Sequence, residues 1–253
     1  MQNLIQLIEK RSQQLFQNPL CHWINSEETK HLPPQEILAF APSMLFFIMG
    51  FKDILENLEY ANPRDQYELM VNQHCAEDKD HWRWYLQDLK TLGFDESHWG
   101  PDLFSKVETL WSSDHKPTRD LVYLCIYLIK KFRSAKASLV IIECLEATFG
   151  VFMTSLQKRF WNSPIYAQLQ FFGQTHHHQE ANHSIGHWIE DDGPHSQHAE
   201  IENIQFSQNE QEELTAAIQI IFEQFELVFE SWFSARKHFL PKHASIPRQL
   251  ELN

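Results

Sequence analysis

Glycine is scarce in this chain, with seven residues in 253, and runs of alternating apolar and polar residues are scarce as well. A strand-rich architecture therefore has little support, and helical spacing dominates instead. There is no CxxC pair. The four cysteines, Cys21, Cys75, Cys125 and Cys144, lie far apart, which excludes a disulfide framework and leaves buried thiols in a reducing compartment as the expectation. A basic stripe is missing too: 34 acidic residues stand against 21 basic ones, for a formal net charge of −13. Phosphate binding needs such a stripe, so a nucleic-acid partner is not expected, and the acidity reads as a solvated surface. The segment Met1-Gln2-Asn3-Leu4 is not a basic stretch leading into an apolar run, so no signal peptide is expected. The apolar stretch from Ile37 to Phe51 is too short for a membrane span and contains Pro42. It reads as a core helix, and the expected setting is cytoplasmic, without a membrane.

What the chain has is apolar mass and helical periodicity. Hydrophobic residues make up 43% and aromatics 13%, enough for a real core. Helices are predicted at about Leu4–Phe16, from Pro34 to about Leu58 with a kink at Pro42, and at about Pro101–Trp111. Asn62 as N-cap and Pro63 at the first helical position predict one long helix running to Leu92 and stopping at Gly93. Thr118 is read as the cap of a helix to Phe132, followed by one over Ala135–Phe160. Pro164 breaks the segment 162–173, and a histidine-bearing helix is expected over Gln174–Ile189. Ser207 and Glu210 form a capping box that opens a last helix to Phe239, with Leu214, Ile218, Ile221, Phe222, Phe225, Phe229 and Trp232 as its core stripe. The expectation is a single all-α domain over residues 1–253, of about seven or eight helices.

Three of these helices carry side chains suited to metal chemistry. On the first, His176, Glu180, His183 and His187 fall at i, i+4, i+7 and i+11, on one face. Imidazoles and a carboxylate within a few turns can converge on one or two ions, and that donor mixture suits iron, manganese or zinc. The plain reading is a solvated polar helix with compositional histidines. On the second, His74, Glu77 and His81 fall at i, i+3 and i+7, with Asp78 a near neighbour. The plain reading there is an exposed charged stripe, but Trp82, Trp84, Tyr85, Leu86 and Leu89 follow at once, so the helix is partly buried. A buried imidazole or carboxylate needs a partner, and a metal is one. On the third, Glu143 and Glu146 sit in the apolar run from Leu139 to Phe149. A salt bridge to Lys or Arg is the plain partner for such a carboxylate, and a metal is the other. Helical scaffolds build dinuclear carboxylate sites from facing helices in this way.

These motifs resemble those of the haem-oxygenase-like diiron oxidases and oxygenases, relatives of the TenA and PqqC proteins. In that family a late core helix carries His-x3-[Asp/Glu]-x2-His, matched by His176, Glu180 and His183. A middle-helix glutamate about thirty residues earlier matches Glu146. An earlier helix supplies a histidine, matched by His81, and a carboxylate seven residues before it, where this chain has His74 instead. His74, Glu77 or, less favourably, Asp78 is then the sixth ligand. The resemblance implies a seven-helix fold with a metal-binding core over about residues 69–189. It implies two non-haem irons, O2 as co-substrate, a small organic substrate and an external electron donor. Members of the family tend to dimerise, which leaves a homodimer open as an assembly without the sequence deciding the oligomeric state. His187 would serve as an outer partner or substitute ligand. Phe46, Phe47, Phe51, Phe149, Phe152, Phe171 and Phe172 either line an apolar substrate pocket or simply fill the core, where such residues are buried anyway. Two other functions share this sequence: a metal-independent TenA- or PqqC-like enzyme working by general acid–base chemistry, and a non-catalytic helical ligand-binding protein.

Overall fold

In the computed structural model, which describes residues 3–94, 103–176 and 203–239, helical periodicity resolves into ten α-helices, and no strand occurs among the described residues. In chain order they are α1 (Leu4–Leu15), α2 (Pro19–Ile24), α3 (Pro34–Ile37), α4 (Leu45–Leu58), α5 (Gln66–Asp78), α6 (His81–Thr91), α7 (Leu103–Trp111), α8 (Lys116–Phe132), α9 (Ala135–Phe160) and α10 (Gln208–Phe239). Short 3-10 turns cover Glu27–His31, Ala41–Met44 and Ser113–His115.

Several predicted boundaries move, each for a local reason. The helix expected from Pro34 to Leu58 is two pieces, because Pro42 turns Ala41–Met44 into a 3-10 segment rather than a kink. The third predicted helix starts later, at Gln66, where the Asp65 carboxylate accepts the N–H groups of Tyr67 and Glu68, both at 2.9 Å. That helix also breaks at Lys79–Asp80 into α5 and α6. Gly93 does end it, with φ +77° and the two reverse bonds Phe94 N–H to Leu89 O and Gly93 N–H to Lys90 O. Thr118 is not a cap. The helix begins at Lys116 with Pro117 in its first turn, and Thr118 accepts the buried Trp232 indole N–H at 3.1 Å. The Ser207–Glu210 box forms as expected, with Glu210 Oε2 accepting from the Ser207 N–H at 2.8 Å and its hydroxyl at 2.7 Å. Of the helix expected over Gln174–Ile189, Gln174–His176 are helical and the rest lies outside the described residues.

The centre of the fold is α9. It is long and apolar enough to cross a membrane by composition, yet 94% of its apolar window is buried inside the protein. Helices α1, α5, α8 and α10 pack around it. All seven apolar stripe residues of α10 are buried, and Phe152 of α9 meets Phe40, Phe172, Phe229 and Trp232 in edge-on contacts. One apolar cluster runs from Leu4 to Trp232. Beside it, α4 closes over α5 and α6, leaving a pocket between those helices and α9.

Candidate metal centre

Helix α5 turns Leu69, Gln73 and Ala76 outward and buries Glu68, Val71, His74, Cys75 and Asp78. That selection places two polar groups, one turn apart, against α9. His74 is 2% exposed, Asp78 3% and, on α9, Glu146 5%. His74 Nε2 lies 3.1 Å from Asp78 Oδ2 and 3.4 Å from Glu146 Oε1. One donor atom from each of the three lies within 4.8 Å of the others. Two carboxylates and an imidazole brought this close out of water repel unless a proton or cation joins them. Oxygen with imidazole nitrogen is the donor set that divalent iron, manganese and zinc accept.

The break after α5 starts a new helix with His81 in its first turn, pointing inward. His81 Nδ1 is 3.6 Å from Asp78 Oδ1. Its ring packs 4.3 Å from that of His176 and 4.7 Å from that of Trp84. His176 is buried between Phe149 and Phe171, with ring centroids at 4.9 and 4.8 Å. Its Nδ1 is 2.9 Å from the Phe171 carbonyl. A carbonyl only accepts, so Nδ1 carries the proton, and in the neutral ring the lone pair belongs to Nε2.

Thus Asp78, His81, Glu146 and His176 line one pocket, and His74 stands behind it against Asp78 and Glu146. Glu77, expected as a ligand, is half-buried and accepts from Gln73 Nε2 at 3.1 Å on the outer side of α5. The i+4 neighbour of His74, not the i+3 neighbour, is the one turned toward α9. Glu143 is fully buried on α9. Glu180, His183 and His187 lie outside the described residues.

The pocket has a volume of ≈ 40 Å³, room for an ion with small exogenous ligands. Phe47, Ile48, Phe51, Leu145, Phe149 and Phe171 form its apolar wall, and Lys52, Lys79 and Trp82 stand at its rim. The expected phenylalanines therefore divide. Four line this pocket, Phe152 and Phe172 fill the core, and Phe46 packs on Trp111 and Tyr123 instead.

Sequence reasoning did not single out Asp88. It is fully buried on α6, and its carboxylate accepts the N–H groups of Gln170, Phe171 and Phe172 at 2.8, 2.8 and 2.9 Å. Burial pushes its pKa up while those three donors pull it down. The signal was present: an acidic residue seven positions after His81, on a face shared with Tyr85. Gly173 closes the same loop. A Cβ there would stand 2.2 Å from the Leu169 carbonyl oxygen and 2.4 Å from that of Tyr166.

Comparison with protein-family models and with curated proteins finds no match to this chain.

Proposed function

We propose that this chain is a non-haem diiron oxidase or oxygenase with a haem-oxygenase-like helical fold, using O2 and an external electron donor on a small organic substrate. The observation that supports it most is the buried meeting of His74, Asp78 and Glu146, three donors within 4.8 Å, beside an apolar pocket that His81 and His176 also face. Those five side chains would hold iron, and Glu180 and His183 would complete the set for a second ion. Bound iron supplies the one-electron chemistry through which O2 reacts. The chain's own residues make the pocket small and mostly apolar, which limits the water that can stand beside the candidate ligands. The hydrogen bond to Phe171 O holds His176 in the tautomer that offers Nε2. Asp78, touching both His74 and His81, fixes the two rings relative to each other.

The thiol-based version of a metal-free enzyme fits less well. All four cysteines are free and buried, and burial pushes Cys21 up to about 11 and Cys75 and Cys125 up to about 12, with Cys144 raised as well. A nucleophilic cysteine needs the opposite shift.

Iron analysis separates the readings. Protein produced with ferrous iron supplied should hold about two irons per chain, the stoichiometry of dinuclear carboxylate sites in helical scaffolds. An iron content below about a tenth per chain, with no uptake on reconstitution, contradicts the proposal, because a built site binds its metal when the ligands are deprotonated.

A further inference from the structure

Asp88 sits under the loop that delivers one of the candidate ligands, His176. Three consecutive backbone N–H groups, from Gln170 to Phe172, converge on its two carboxylate oxygens. Such a convergence is an anion-holding concavity of the backbone, here filled by the protein's own side chain. The same short stretch then turns its carbonyls toward His176. Gln170 O accepts the His176 backbone N–H at 3.1 Å, and Phe171 O accepts from His176 Nδ1 at 2.9 Å. Asp88, the 170–172 backbone and the His176 ring thus form one chain of hydrogen bonds, with Asp88, Phe171, Phe172 and His176 buried and Gln170 at its outer end.

From this geometry we infer that Asp88 is a positioning residue: by clamping the 170–172 amides it aims the Phe171 carbonyl at His176 Nδ1 and so fixes which imidazole nitrogen is presented to the metal pocket. The role of His176 as ligand rests on the function proposed above, whereas the tautomer it adopts does not. A peptide unit held by its N–H side cannot rotate its carbonyl away. Removing the carboxylate frees the Phe171 peptide to turn, and the Nδ1–H then loses its acceptor. A carbonyl that no longer accepts allows the Nε2–H tautomer, whose proton blocks the ligating nitrogen.

The test is long-range 1H–15N correlation NMR on the metal-free full-length chain at about pH 8, above the ordinary imidazole range. His176 is assigned by the cross-peak lost in His176→Gln. In the wild type, His176 should show the Nδ1–H pattern, and in Asp88→Asn it should shift to Nε2–H or to a mixture. Thr118→Val, which removes the acceptor of the Trp232 indole in the first turn of α8, serves as a control for general loosening and should leave His176 unchanged. Wild-type protein in the Nε2–H form, or Asp88→Asn with an unaltered Nδ1–H ring, overturns the proposal. Should Asp88→Asn fail to fold, Asp88→Glu, which keeps the charge but shifts the oxygens, is read in the same way, and the wild-type tautomer is decisive alone. A second arm measures Co(II) binding by its visible absorption. Asp88→Asn should lose about 10–100-fold in affinity, the usual effect of removing an outer partner of a ligand. Absence of Co(II) binding in the wild type would count against the metal function and leave the NMR result standing.

Discussion

Replacing Asp78 by Asn and Glu77 by Gln sets two adjacent acidic residues against each other, and the structure assigns them opposite outcomes. Asp78 is buried, with one oxygen 3.1 Å from His74 and the other 3.6 Å from His81. Glu77 accepts from Gln73 on the outer side of the same helix. Without metal, Asp78→Asn removes one of two carboxylates whose oxygens lie within 4.8 Å of each other, so the melting temperature should hold or rise. With metal the order reverses. At a free metal concentration about a hundred times Kd, binding stabilises the fold by about 2.7 kcal/mol. Losing a ligand weakens affinity by at least roughly 100-fold, the upper range for losing a mere outer partner. The remaining metal-induced stabilisation is then about 0.4 kcal/mol, a difference of about 2.3 kcal/mol. For a chain of this length that is a loss of about 5–9 °C in the metal-induced shift. Differential scanning fluorimetry with and without Fe(II) or Co(II), under anaerobic conditions, reads it directly. Glu77→Gln should keep the full shift. A retained shift in Asp78→Asn, or a lost one in Glu77→Gln, would refute the assignment of the inward carboxylate.

Other substitutions probe the frame that carries the site. Thr118→Val leaves the buried Trp232 N–H without its acceptor and should cost about 1–3 kcal/mol in chemical denaturation. Gly173→Ala forces a methyl against two backbone carbonyl oxygens, so a loss of about 1–3 kcal/mol or more is expected, with weakened metal uptake because His176 lies three residues on. The Glu210 pKa is lowered, first by the Ser207 hydroxyl and then by the Ser207 N–H. A carboxylate with a depressed folded pKa adds stability above its unfolded pKa and loses it as pH falls through the folded value. Wild type should therefore exceed Glu210→Gln in stability near neutral pH, and the gap should close in acid. An equal gap at both ends of the pH series would refute this.

Much of the helical plan was legible because it rests on local signals: the capping box at Ser207, the stop at Gly93 and the stripe of α10 depend on neighbours in sequence. The candidate site was legible in part. His74, His81, Glu146 and His176 each carry a polar group within an apolar or partly buried context, and that contrast is visible in one dimension. The choice between Glu77 and Asp78 was not. It turns on a rotation of about one residue around the α5 axis and on the break at Lys79–Asp80, both set by packing against α9. Asp88 was hidden for a different reason: its partners are backbone amides some eighty positions away, and backbone amides leave no mark in a sequence. Thr118 misled because a threonine near a helix start serves equally as a cap or as an acceptor for a distant indole.

The central claim is that His74, Asp78 and Glu146 share a metal ion. Crystals of the iron-loaded protein, measured on both sides of the iron absorption edge, test it most directly. An anomalous peak between those three side chains, beside His81 and His176, is the predicted result. Iron found elsewhere, or no peak at these residues in a fully loaded crystal, would contradict it.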